Sequence, residues 1–260
     1  MTEYATDMLT PLTAIARAAG ELIMAIYASD FAVEHKADAS PVTQADQAAE
    51  ALILARLAAL WPDIPVVAEE RVSTCGAPKP AALGQRFWLV DPLDGTREFL
   101  ARNGEFTVNI GLIEHGRPVL GVVLAPALGK LWAGQIGQGG QGAWVEDQAG
   151  RRPIRCRAIP PEGLTVVASR SHGDAQALTA YLAGRRLAKT VNVGSSLKLC
   201  LVAEGQADLY PRLGRTMEWD IAAAHAVLAA AGGRVTALDG SELAYGKRGF
   251  DNPHFVASAG

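Results

Sequence analysis

The chain has 260 residues, 49% of them apolar, and 24 Lys and Arg against 27 Asp and Glu, a formal net charge of −3. That composition excludes a disordered chain, and the near balance of charge, without a basic run, argues against nucleic acid or an anionic membrane surface as partner. Three well-separated cysteines, Cys75, Cys156 and Cys200, fit a reducing, cytoplasmic setting better than a disulfide framework or a zinc site.

The first residues, MTEYATDMLT, carry acids where a signal peptide carries bases, so no leader is expected. The most apolar run, VLGVVLAPALG, is broken by Pro126 and too short to span a bilayer, so no integral membrane segment is expected. Thr10 and Pro11 read as an N-cap and first helical residue. Leu12, Ile15, Ala16, Ala19, Ile23 and Ile26 then share one face of a helix ending near Ser29. A polar connection around Pro41 leads to a second helix, from near Thr43 to Leu60, which Trp61-Pro62 stops.

Strands follow. PVVAE ends on Glu69 and Glu70, and RFWLVD ends on Asp91. FTVNIGLIE and PVLGVVLAP flank a hairpin at His115-Gly116-Arg117, and KLWAG and AWVE flank a glycine-rich turn. After a boundary near Arg151 to Arg155 the pattern alternates strand and helix, which predicts an α/β half. Its helix over SSLKLCLVAEG is expected to be capped by Ser195 or Ser196. Two halves are expected, 1–150 and 151–260, forming one compact unit.

Each acid alone has a plain structural reading. A Glu pair after a strand is a solvated turn, DPLDG favours a turn, and Asp46 or Asp220 suits a helix start. Together they read differently. Two strands that end on acids, if they point the same way, bring carboxylates together, and close carboxylates in a poorly solvated pocket need protons or a cation. All-oxygen donors favour Mg²⁺ first and Mn²⁺ or Ca²⁺ next, and Mg²⁺ completes its shell with phosphate oxygens. Gly95 and Thr96, if they open a helix, would present N–H groups to that phosphate.

PVTQADQAAE, VVAEE, DPLDGTREF and EWDIAAAH, in this order, resemble the inositol monophosphatase superfamily over nearly the whole chain. DGTREF, SRSH and GSSLKLCLVAEGQADLYPRL resemble its 3′(2′),5′-bisphosphate nucleotidase branch. The resemblance implies a layered αβαβα sandwich. It implies metal ligation by Glu69, Asp91, Asp94, Asp220 and the Leu93 carbonyl. Asp46 and Thr96 match the pair that orients and deprotonates the attacking water, and Glu70 supports the site from behind. His172, Ser195, Lys198 and Arg212 match nucleotide and phosphate contacts, with Gly95, Thr96 and Asp220 beside the substrate.

The implied activity is hydrolysis of the 3′-phosphate of adenosine 3′,5′-bisphosphate (PAP), and of its sulfated relative PAPS, in sulfur assimilation and nucleotide recycling. It would use about two to three Mg²⁺ ions, with Mn²⁺ as a substitute and Li⁺ and Ca²⁺ as inhibitors. Inositol monophosphate or fructose 1,6-bisphosphate as substrate, or a non-catalytic metal- or ligand-binding regulator, are the alternatives. A cytoplasmic monomer or homodimer is expected, with peripheral contact at the inner face of the inner membrane left open. Lys198 and Arg212 also read as solvated charges, and His225, five residues after Asp220, reads as packing. WDIAAA places Ala224 where the family often has glycine, a small perturbation if that position packs helix on sheet.

Overall fold

A computed structural model describes residues 7–29, 33–35, 41–137, 142–170 and 175–260. Its helices are α1 (Leu9–Tyr27), α2 (Gln44–Leu60), α3 (Glu69–Cys75), α4 (Thr96–Leu100), α5 (Ala175–Leu182), α6 (Leu197–Ala203) and α7 (Glu218–Ala230). A short sheet pairs β1 (Val33–His35) with β2 (Pro41–Thr43). The first large sheet orders β3 (Val66–Ala68), β4 (Arg86–Asp94), β5 (Thr107–Glu114), β6 (Arg117–Ala125), β7 (Lys130–Gln135), β8 (Gly142–Asp147) and β9 (Gly150–Ile154) in sequence. The second contains β10 (Leu164–Ser169), β11 (Leu187–Val193), β12 (Leu209–Arg212), β13 (Gly233–Ala237) and β14 (Phe255–Ala259), in the order β11-β10-β12-β14-β13.

The layers follow from which faces are apolar. Helices α1 and α2 bury Leu12, Ile15, Ala19, Ile23, Ala49, Ile53 and Leu57 against Trp88, Val90, Val108, Ile110 and Val122 of the first sheet. The opposite face of that sheet, with Phe87, Leu89 and Val123, meets α6 and α7 and, beyond them, Tyr210, Val235 and Phe255 of the second sheet. Leu178, Tyr181 and Leu182 of α5 cover the far side, on Leu164, Val166, Leu209 and Val256. The result is the expected αβαβα sandwich. By length and composition α1 could cross a bilayer, yet Leu12, Ile15, Ala16, Ala19 and Ile23 are spent on the protein's own core.

Helix α7 lies unusually close to the first sheet. A Cβ at Gly121 would stand 2.1 Å from the Ala223 carbonyl oxygen, and one at Gly111 2.8 Å from the Ala223 nitrogen. Bare backbone on β5 and β6 therefore sets the depth of the helix, and the fully buried Ala224 is accommodated beside it.

Several local expectations are corrected. Helix α1 starts before Thr10, and Asp7 does the capping: its Oδ1 accepts the N–H groups of Leu9 and Thr10 at 3.0 and 3.2 Å. β3 stops at Ala68, so Glu69 and Glu70 open α3 instead of ending a strand. β4 continues past Asp91 to Asp94 through a bulge. Ser195 and Ser196 do not cap α6, because both hydroxyls reach across to the first sheet instead.

Candidate active site

The bulge in β4 decides where the two aspartates point. Asp91 pairs with Asn109 and Asp94 with Thr107, so Pro92 and Leu93 together face the single residue Val108. In a regular strand, residues three apart lie on opposite faces. Phe87 and Leu89 face α7 while Trp88 and Val90 face α1 and α2, which puts Asp91 on the α7 side. The surplus residue turns Leu93 toward α1 and α2 and returns Asp94 to the side of Asp91. Pro92 suits this place, having no N–H to give to the broken ladder. The Leu93 N–H closes the turn on Asp91 Oδ1 at 3.0 Å.

β3 and β4 are parallel, so both strand ends deliver acids to one edge, as their sequences predict. Helix α7 brings its third residue, Asp220, to the same place. One carboxylate oxygen each from Glu69, Asp91 and Asp220 lies within 4.8 Å of the others. Asp91 is buried and the other two are partly buried. Burial, reinforced by Asp94 and Glu69, pushes the Asp220 carboxyl well above the usual range, with the Met217 N–H (2.9 Å) pulling the other way. Burial likewise raises Asp94, while Lys198 and the Ser195 hydroxyl, 2.8 Å from Oδ2, oppose it. Without a cation these carboxyls cannot all be ionised, and the donors are all oxygen. The cluster therefore fits a hard divalent ion such as Mg²⁺. Asp94 stands beside this group of three, with one oxygen turned to Ser195. Leu93 presents its carbonyl 3.5 Å from Thr96 Oγ1.

Asp46, buried as the third residue of α2, accepts on Oδ2 from the Thr43 N–H and hydroxyl at 2.8 and 2.7 Å. Its Oδ1 faces the Thr96 hydroxyl at 3.3 Å. Gly95, at φ +94°, turns the chain from β4 into α4, which starts at Thr96. Glu70 is buried behind the cluster, and its N–H donates to Glu50 Oε2 at 2.8 Å.

The opposite wall of the cleft comes from the second half. Glu69, Asp94, Gly95, Thr96, Ser195, Lys198, Arg212 and Asp220 line one cavity of about 180 Å³, which shares Glu69, Asp94 and Asp220 with a second lobe that reaches Asp91 and Leu93. Lys198 and Arg212 are only 5% and 8% exposed, so neither is the solvated charge of the plain reading. Burial lowers the Lys198 ammonium to about 8, opposed by Asp94. Its Nζ is held by the carbonyls of Ser195 and, at 3.3 Å, Val193. Arg212 donates to the Arg215 carbonyl at 2.6 Å. His172 lies outside the described residues. His225 is packing, as expected: its Nδ1 meets the Tyr245 hydroxyl at 2.8 Å, and burial drops it to about 3.

Sequence reasoning missed a buried polar link between the walls. Thr107 contacts the hydroxyls of Ser195 and Ser196, the latter at 2.9 Å. Ser196 donates to Asn109 Oδ1 at 2.7 Å, and Asn109 Nδ2 reaches Thr107 at 3.2 Å. The signal was present in FTVNIGL, where two polar residues alternate with apolar ones and so share a face.

The model of the inositol monophosphatase family matches residues 5–257. The chain belongs to that family. Among its relatives is the 3′(2′),5′-bisphosphate nucleotidase CysQ of Escherichia coli O157:H7, 50% identical over 255 residues, spanning 96% of this chain and 99% of its own. The crystal structure of CysQ from Bacteroides thetaiotaomicron superposes with a TM-score of 0.80 at 36% identity, covering 96% of each chain. A Thermotoga maritima IMPase superposes at 0.79 with 27% identity, over 98% of this chain and 93% of its own. Metal dependence is general in the family, and the acidic cluster agrees with it.

Proposed function

We propose that the protein is a Mg²⁺-dependent phosphatase that removes the 3′-phosphate of adenosine 3′,5′-bisphosphate, giving AMP and inorganic phosphate, and that also accepts PAPS. The observation that carries this reading is a cleft in which three clustered carboxylates stand beside two buried cations. It occurs in a chain half identical, over nearly its whole length, to a bisphosphate nucleotidase. The inositol phosphatase structure is more distant, at 27% identity.

Glu69, Asp91 and Asp220, with Asp94 and the Leu93 carbonyl beside them, would hold the divalent ions. When bound, such ions neutralise phosphoryl charge and make a water-derived nucleophile available at neutral pH. The remaining work belongs to the chain. Thr96 Oγ1 donates a hydrogen bond to Asp46 Oδ1, which leaves its own lone pair to accept one from the attacking water; as the water loses a proton to Thr96 Oγ1, the threonine proton passes to Asp46. Thr43 holds Asp46 still while this happens. Glu70 braces the start of α3 through Glu50. Lys198, Arg212 and Ser195, with the Gly95 N–H, hold substrate phosphate, and His172 joins them in the same reading. Mn²⁺ would substitute for Mg²⁺, and Li⁺ and Ca²⁺ would inhibit. A cytoplasmic setting is supported by the three free cysteines.

Phosphate release from adenosine 3′,5′-bisphosphate, inositol 1-phosphate and fructose 1,6-bisphosphate, each with and without Mg²⁺, tests the reading. The nucleotide is expected to be turned over fastest, and only with Mg²⁺. A higher kcat/KM on inositol phosphate would replace the substrate assignment, and no turnover of any of the three would favour a non-catalytic regulator.

A further inference from the structure

Glu105 lies between α4 and β5, in the stretch RNGEF; it does not line the cleft but touches segments that do, at Gly95, at the end of β10 and at the Gly194–Ser195 turn. Its carboxylate forms a two-pronged pair with Arg170, at the end of β10: Nε to Oε2 at 3.0 Å and Nη2 to Oε1 at 2.8 Å. Oε2 also accepts the Gly194 N–H at 2.8 Å, and Arg170 Nη2 reaches on to the Asn192 carbonyl at 3.0 Å. The Glu105 backbone is fixed as well. Its carbonyl oxygen sits between two glycines, where a Cβ would come within 3.1 Å at Gly95 and 2.9 Å at Gly194. One of these glycines opens α4 beside Asp94, and the other precedes the turn into α6.

What this arrangement holds is the Gly194–Ser195 turn. Ser195 stands at φ +54°, a conformation unfavourable for serine, so the turn needs outside support. From it Ser195 Oγ reaches Asp94 and the Ser195 carbonyl receives Lys198 Nζ. Magnitudes separate two explanations for the Glu105–Arg170 pair. The Arg170 side chain is 47% exposed, and an exposed pair adds at most about 1 kcal/mol to stability. A displacement of about 1 Å among groups that hold substrate can instead cost up to about 10²-fold in rate.

We propose that Glu105, oriented by Arg170, is a positioning residue that fixes the Gly194–Ser195 turn and so places Ser195 and Lys198 for the substrate's phosphate. The inference rests on the phosphatase reading above. It is tested with Glu105→Ala, Glu105→Gln, Arg170→Ala and the double alanine variant, measuring kcat and KM on adenosine 3′,5′-bisphosphate and on 4-nitrophenyl phosphate with Mg²⁺. Each single alanine variant is expected to raise KM on both compounds by about tenfold while kcat stays within about twofold. The double variant is expected to be no worse than either single one, since both break the same link. Glu105→Gln, which keeps an acceptor for Gly194 but loses the charge, should fall between, and melting temperatures should change by no more than about 2 °C.

An unchanged KM in Glu105→Ala or Arg170→Ala, or a double variant whose KM rises by the product of the single effects, overturns the proposal. If Glu105→Ala folds poorly, Arg170→Ala and Glu105→Gln decide it alone. A wrong nucleotide assignment would show separately, as wild-type turnover of 4-nitrophenyl phosphate but not of the nucleotide, with the KM comparison still made on the aryl phosphate.

Discussion

Asp46 and Asp220 occupy the same position, the third residue, of α2 and α7, and each folds one oxygen back onto the N–H before its helix, that of Thr43 or Met217. They differ in what else reaches them. Asp46 also receives the Thr43 hydroxyl on that oxygen and faces the Thr96 hydroxyl with the other. Asp220 has Met217 in place of the threonine and turns toward Glu69 and Asp91. Donors on both oxygens suit Asp46 to the proposed role of oriented proton acceptor. Carboxylates as neighbours make Asp220 a group that needs a cation. One helix-start geometry thus gives two different surroundings, set by the residue before the helix and by what stands opposite, and the proposed roles follow that difference.

The sharpest way to break this comparison is Asp220→Asn. Phosphate release is expected to fall on the order of 10³-fold. The rise in melting temperature on adding Mg²⁺, measured by calorimetry, should vanish with it. Asp46→Asn is expected to lower kcat by about 10²- to 10⁴-fold while the Mg²⁺-induced rise persists. If both variants lose that rise, the two aspartates share one role. Thr43→Val makes the start of α2 resemble that of α7. It should lower kcat several-fold and cost about 1 kcal/mol in urea unfolding, as the loss of a helix cap does. A full rate would show that Asp46 does not need the hydroxyl.

The last test leaves the rate untouched and concerns stability at His225 of α7. His225 is pushed down to about 3 by burial, below its usual 6.5. Its neutral form is the one that fits, so this contribution is intact above about pH 6.5 and is lost as pH falls toward 3. Between those values unfolding stability should decline by up to about 1.4 kcal/mol per pH unit from this group. His225→Gln should show a flatter decline between pH 6.5 and 5, and an equal slope would remove His225 as the cause.

Most of the frame was legible because it rests on periodicity. The helix over Thr43–Leu60, the hairpin at His115–Arg117 and the α/β second half follow from apolar spacing and turn residues. The meeting of acids was legible because the sequence places acids at the end of each of two strands, which run parallel, although Glu69 itself opens α3 just past β3. Other features depend on partners far away in the chain. Serine before a helix usually caps it, and only the neighbouring β5 shows why Ser195 and Ser196 do not. Thr10 lost its capping role to an aspartate three residues earlier. Glu105 and Arg170 are 65 residues apart, and although Arg170 stands in SRSH, nothing in that stretch points to Glu105 as its partner. The bulge left only Pro92 as a trace, and a proline between two aspartates reads first as a turn.

The surplus residue in β4 lets two aspartates three apart in sequence share one side of the sheet. Deleting Pro92 would leave the two aspartates two apart in an unbroken ladder, still on one side of the sheet but without the turn that the Leu93 N–H closes on Asp91. The core packing of Phe87 to Val90 lies upstream of the change. With two residues between the aspartates, the bulge is what keeps both acids on one side, and a β4 that kept its length but lost the bulge would turn Asp94 away from Asp91.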